Sequence, residues 1–339
     1  MCGGKTRSSG RKIQAAAAAP GCLTAYGLFP DRTLPTCGKF CEGNLKEELP
    51  SKCPVRNANA SKVISHLANP GDPMYLRRTI LSLFSVLAVS AAHATTVCTA
   101  IADAKTGKIL MQRGNCTERV TPASTFKIAI SLMGYDAGFL KDEHTPTLPY
   151  REGYYDWGGD AWRQPTDPTR WLKYSVVWFS QQVTHALGPE RFAQYAKEFS
   201  YGNADVSGDP RKHNGLDRSW IASSLKISPL EQITFLEKFI NGQLPVSPIA
   251  FEMTKRIVES NTLSDGWTVH GKTGMAYPRK PDGTFDEDHP HGWFVGWATK
   301  GDDTLVFARL IQDGRKESGT AGVRARDAFL DELPSLVGH

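Results

Sequence analysis

Past residue 94 the chain has only two cysteines, no apolar run long enough to span a bilayer, no internal repeat and no surplus of positive charge. Each lack narrows the reading. Two cysteines without histidines at ligand spacing argue against zinc. Without a long apolar run the body has no multi-helix membrane region. The charge balance needs more care, because the whole chain carries +5. Residues 1–78 hold twelve Lys/Arg against five Asp/Glu, a surplus of seven, which leaves residues 79–339 at −2. A nucleic-acid-binding body needs a basic face, so that class is excluded. The remaining composition, 40% hydrophobic and 22% charged, is that of an ordinary globular protein.

The N-terminal part reads as two segments. Residues 1–73 mix Cys, Gly, Pro and the alanine run Ala15 to Ala19 with no sustained helical or strand period, as expected of a non-native or disordered extension. Residues 74–94 read as a signal peptide: Met74, then Arg77-Arg78, then the apolar run Ile80 to Ala91, then Ala92-His93-Ala94. An uncleaved anchor is the alternative. Cleavage leaves residues 95–339 as the mature body, periplasmic or secreted.

Cysteine usage agrees with export, since five of the seven cysteines precede residue 54. Thr96 to Ala102 and Lys108 to Arg113 read as strands joined at Lys105-Thr106-Gly107. Folding that hairpin brings Cys98 near Cys116, which suits a disulfide in an oxidising compartment. Two free buried thiols are the alternative. Beyond the hairpin, helices are expected over about 124–140, 170–187, 189–199, 229–241 and 247–260. Strands follow over 267–273, 292–299 and 304–311, then a last helix over 323–336. Strands at both ends and helices between them predict an α+β fold: a mostly antiparallel sheet flanked by helices, with an inserted all-helical subdomain.

The chemistry begins at Pro122-Ala123-Ser124-Thr125-Phe126-Lys127. A Ser and a Lys three residues apart share one helix face, which places a hydroxyl beside an amine. Serine needs a base within hydrogen-bond reach, and a lysine serves only if burial lowers its pKa. The neighbours Phe126, Ile128, Ala129, Ile130, Leu132 and Met133 are apolar nearly all round, as in a buried helix. Far downstream, Lys272-Thr273-Gly274 ends an alternating segment. Gly274 lets a ligand backbone approach closely and Lys272 supplies positive charge.

Taken in order, these motifs resemble those of the class D, oxacillinase-type serine β-lactamases. Four further elements are similar: Ser175-Val176-Val177, Tyr201-Gly202-Asn203, the segment from Trp220 to Ser228, and His291-Gly292-Trp293-Phe294-Val295-Gly296-Trp297. The resemblance runs from about Cys98 to the C-terminus. It implies the serine β-lactamase, penicillin-recognising fold and hydrolysis of the β-lactam ring through an acyl-enzyme on Ser124. It makes Lys127 the general base as an N-carboxylated lysine, with CO2 as the only added group and no metal. Trp220 and Val177 then stabilise the carbamate. Ser175 and Lys272 move a proton toward the leaving nitrogen, and the backbone N–H groups of Ser124 and Met275 form the oxyanion hole. Thr273, Gly274, Tyr201, Asn203 and Arg326 bind substrate. Arg324 is the alternative to Arg326 for the substrate carboxylate.

A β-lactam sensor domain and a D-alanyl-D-alanine transpeptidase share parts of this set. No His-Glu-x-x-His protease segment accompanies it, and the Trp220 and Tyr-Gly-Asn segments depart from the transpeptidases. The expected partners are β-lactam antibiotics, without nucleic acid and without membrane in the mature form, in a monomer or homodimer.

Overall fold

The structure is a computed structural model, and it describes residues 94–337. The expectations for the 1–73 extension and the 74–94 signal peptide lie outside the described residues, apart from Ala94. Among the described residues no helix is long and apolar enough to cross a membrane.

Six strands form one antiparallel sheet: β1 (Thr95–Asp103), β2 (Ile109–Gly114), β3 (Ser260–Thr262), β4 (Thr268–Ala276), β5 (His291–Lys300) and β6 (Asp303–Gln312). Their spatial order is β2-β1-β6-β5-β4-β3. The helices are α1 (Lys127–Asp136), α2 (Pro168–Tyr174), α3 (Val177–Glu198), α4 (Gly215–Arg218), α5 (Pro229–Ile240), α6 (Pro248–Ile257) and α7 (Ala321–Val337). All but α7 are inserted between β2 and β3, so the expected helical insertion is present.

Both faces of the sheet are covered, which is why β5 and β6 read as nearly continuous apolar runs. On one face α7 packs through Phe329, stacked 4.2 Å from Phe307 and beside Phe294. On the other face the larger core joins the sheet to the helical insertion through Trp293, Val295 and Trp297. The open edge is β2, largely exposed, and the other edge is the three-residue β3.

The hairpin closes as the sequence implies. Cys98 lies opposite Gly114 and bonds to Cys116, with Cα atoms 5.1 Å apart. Closing a loop of that span limits the unfolded chain, a contribution of about 3 kcal/mol.

Three expected elements differ. The helix expected from Ser124 is a 3-10 turn over Ala123–Phe126 that passes into α1 only at Lys127. The helix expected over 170–187 is broken at Ser175, whose φ of 58° ends α2 before α3 begins at Val177. The helix expected to run to residue 260 stops at Ile257, because Ser260 to Thr262 pair with β4 instead. The first two breaks lie at the Ser124 and Ser175 motifs, where local geometry overrides helical propensity.

Candidate active site

Ser124 stands in the 3-10 turn, entered through Ala123 at a φ of 51°. Residues i and i+3 eclipse in a 3-10 turn, more closely than in an α-helix. The break from regular helix therefore tightens the pair: Lys127 Nζ lies 3.0 Å from Ser124 Oγ. Lys127 has no exposed surface, being surrounded by the apolar core of α1. Burial, and after it the charge of Lys272, holds its amine well below the usual lysine range. An amine in that state is a proton acceptor rather than a fixed cation.

Facing the pair is β4. Lys272 is almost wholly buried and donates to Thr273 O at 3.1 Å. Burial pushes its pKa down to about 8, against the opposing pull of Glu259 and with help from Arg326. Gly274 is where the sheet meets the turn that carries Ser124. A Cβ there would lie 3.2 Å from Ser124 N and 3.1 Å from Pro122 O. Only a bare backbone leaves the present spacing intact.

A cavity of about 310 Å³ opens between these elements. Ser124, Thr273, Gly274 and Met275 line it on one side, and Ser175, Val177 and Trp220 on the other. Ser175 reaches it because the left-handed turn between α2 and α3 carries it there instead of leaving it on a helix surface. Trp220 is fixed through its backbone: Thr121 Oγ1 donates to Trp220 O at 2.9 Å and accepts from Ala222 N at 3.1 Å. Trp293 Nε1 in turn donates to Thr121 O at 2.9 Å. The side-chain polar atoms Ser175 Oγ and Trp220 Nε1 are buried without a protein partner. Buried donors are ordinarily paired, and these two belong to residues that line the same cavity.

The structure brings Ser124, Lys127, Ser175, Val177, Trp220, Lys272, Thr273, Gly274 and Met275 together. It does not bring Tyr201 and Asn203 to the cavity. Tyr201 is wholly buried beneath the turn, its ring 4.7 Å from Phe126 and its hydroxyl beside Gln232. Asn203 braces a loop, donating to Ser224 O at 2.9 Å and accepting from Lys226 N at 3.0 Å. It lines a larger, open hollow of about 930 Å³ that does not contain Ser124. Their substrate-binding roles therefore have no direct geometric basis here. Of the two arginines, Arg324 is committed to the fully buried carboxylate of Asp313 and to Ser318 O. Arg326 pairs only with the exposed Asp327 on its own helix, and its charge acts on Lys272.

Sequence reasoning missed several lining residues. Thr320 and Gly322, at the start of α7, form the wall beside β4. A Cβ at Gly322 would lie 2.6 Å from Gly274 O, so helix and strand touch backbone to backbone. Trp157, Trp162 and Tyr174 form an aromatic rim. Trp157 is 58% exposed and stacks on Tyr155 at 4.4 Å. For Trp157 and Trp162 the signal was the Trp content of the 145–169 loop, and Tyr174 lies beyond it. Among the described residues no group of three or more His, Cys, Asp or Glu is placed to hold a metal.

The model of the penicillin binding protein transpeptidase domain matches residues 97–333. The chain is 46% identical over 245 residues to β-lactamase OXA-9 of Klebsiella pneumoniae, covering 72% of this chain and 89% of that one. It is 34% identical over 247 residues to β-lactamase OXA-1 of Escherichia coli, covering 70% and 84%. The crystal structure of the OXA-427 class D β-lactamase matches with a TM-score of 0.67 at 45% identity, over 72% of this chain and 99% of that one. A serine–lysine pair set against a Lys-Thr-Gly strand, on the fold and with the sequence of these relatives, places the chain in the class D β-lactamase family.

Proposed function

We propose that this protein hydrolyses the β-lactam ring of penicillins and other β-lactams through an acyl-enzyme on Ser124, and so confers antibiotic resistance. The observation that carries this is the 3.0 Å contact between Ser124 Oγ and a fully buried, pKa-depressed Lys127. Ser124 attacks the lactam carbonyl as its proton leaves toward Lys127. The developing oxyanion is received by the N–H groups of Ser124 and Met275. Ser175 and Lys272 pass a proton to the departing nitrogen. Thr273, Gly274, Lys272 and Arg326 hold the substrate carboxylate, since Arg324 is already spent on Asp313.

The family implies that Lys127 is N-carboxylated, and the residues present fit that group. Trp220 offers a buried N–H without a partner, and a charged carbamate in an apolar site needs such a donor. Val177 gives the dry wall beside it. When present, the carbamate supplies an anionic oxygen base in place of the amine. The finer expectations for export belong to the same proposal: a cleaved signal peptide over 74–94, a catalytic domain over 95–339, and a periplasmic or secreted enzyme whose Cys98–Cys116 bond forms there.

The test is a stopped-flow progress curve with a chromogenic cephalosporin in bicarbonate buffer. Turnover far beyond one equivalent, lost in Ser124→Ala, supports the proposal. A stoichiometric burst followed by a flat line would move the reading to a sensor or transpeptidase. Removing dissolved CO2 should slow deacylation and bicarbonate should restore it. Full activity without CO2 would leave Lys127 acting as a plain amine.

A further inference from the structure

Beneath the nucleophile turn lies a buried polar cluster drawn from three distant parts of the chain. Thr125, the residue after Ser124, donates from Oγ1 to Pro122 O at 2.7 Å. Gln232 Nε2 donates to Thr125 Oγ1 at 3.0 Å and to the Tyr201 hydroxyl at 3.2 Å. Thr125, Gln232 and Tyr201 are all buried, at 1%, 1% and 0% exposure. Burial pushes the Tyr201 hydroxyl pKa up, so it remains a neutral hydrogen-bonding group.

Gln232 comes from the first turn of α5, and that turn is itself anchored. Ser228 and Glu231 form a reciprocal capping box at its start. Glu231 is also clamped by Arg119, just ahead of the nucleophile turn. Val120 and Ile227 pair backbone to backbone. On the opposite side, β4 closes on the same turn, where a Cβ at Gly274 would lie 3.1 Å from Thr125 Cγ2. Thr125 is thus held between Gln232 and the sheet. An amide that donates both N–H groups in a buried site fixes a direction as well as a distance, which an apolar side chain of equal volume does not.

We infer that Gln232 is a positioning residue for acylation: acting through Thr125, it sets the N–H and hydroxyl of Ser124 against the backbone of β4. Tyr201 belongs to the same cluster, which gives the Tyr-Gly-Asn segment a role under the nucleophile rather than on the substrate. The inference rests on Ser124 being the nucleophile.

The experiment follows acylation of the full chain by a fluorescent penicillin in stopped flow, with intact mass to count the adduct. Gln232→Met should slow acylation roughly tenfold, the share of one buried hydrogen bond, and leave KM within about twofold. Thr125→Val should do the same, and the double variant should be no slower than the slower single. Acylation at the native rate in Gln232→Met, or losses that multiply in the double variant, would overturn the inference. Should Gln232→Met not fold, Tyr201→Phe removes one hydroxyl from the cluster while keeping the ring on Phe126, and its cycle with Thr125→Val gives the same decision. Ser124→Ala separates the two readings. Labelling of that variant sinks the nucleophile assignment and this inference together. No labelling of it, with a native rate in Gln232→Met, sinks the role of Gln232 alone.

Discussion

On the helical side of the catalytic cavity, large side chains are buried: Lys127, Trp220 and Phe126 have no exposed surface. On the sheet side the contacts are made by backbone. Gly274 lies under Ser124 N and Pro122 O, and Gly322 lies on Gly274. The first wall sets the chemistry, because burial of an amine moves its pKa. The second sets distance, because a Cβ at Gly274 would crowd the backbone of Pro122 and Ser124 and the Thr125 methyl, and one at Gly322 would crowd the Gly274 backbone. A substitution on the helical wall should therefore change what the site can do. A substitution on the sheet wall should change whether the parts still meet.

The largest expected effect tests the first half of that contrast. Lys127→Met keeps the volume and removes the base. Activity should fall by about 100- to 10,000-fold, the usual share of general-base catalysis. The same variant should be more stable, by about 1 kcal/mol, because the fold no longer buries an amine that prefers water. Thermal unfolding beside steady-state kinetics checks both. An inactive variant that is also less stable would mean that Lys127 packs more than it strains.

Next comes the sheet wall. Gly322→Val places a Cβ only 2.6 Å from Gly274 O, closer than the two atoms can pack. Helix α7 must then lift from β4, at a cost of about 1–3 kcal/mol. The lift moves Thr320 and Arg326, so KM should rise several-fold while the acylation chemistry of Ser124 is less affected. Urea unfolding and the separate kinetic constants decide it. A native KM in this variant would show that the helix–strand contact does not set the carboxylate end of the site.

The same contrast explains what could be read from sequence. The grouping of Ser124, Lys127, Trp220 and the Lys272–Gly274 strand in one place was legible from their residue types and order. The α+β organisation was legible from the change of period between insertion and sheet. Gly322 and Thr320 were not, since small residues before a helix look like any loop and their meaning lies in a contact with β4 some fifty residues earlier. The break at Ser175 was hidden for a related reason. Residues around it read as continuous helix, and only the packed structure forces the left-handed turn. Tyr201 and Asn203 are the opposite case: motif order points them toward the substrate, while the structure bonds the Tyr201 hydroxyl to Gln232 and Asn203 to the Ser224–Lys226 loop.

Lys272 sharpens the comparison most finely, because it is a buried lysine on the backbone wall. It is pushed down to about 8 from the ordinary 10.5 by burial, with Glu259 opposing the shift and Arg326 adding to it. Below about pH 8 it is protonated and can hold an anionic carboxylate. As pH rises through 8 it loses that charge, so KM should rise by up to roughly tenfold, the worth of a charge-assisted hydrogen bond. Stability should move the other way. Between about pH 8 and 10.5 the unfolded chain holds a proton on this lysine that the folded chain has released, so the contribution of Lys272 to stability grows with pH there. Weaker binding and a firmer fold over the same window is a signature that a surface lysine would not give. Lys272→Arg, which keeps its charge throughout, should flatten the rise in KM. If KM in that variant still climbs through pH 8, the titrating group is another one, and the carboxylate is held chiefly by Thr273 and Arg326.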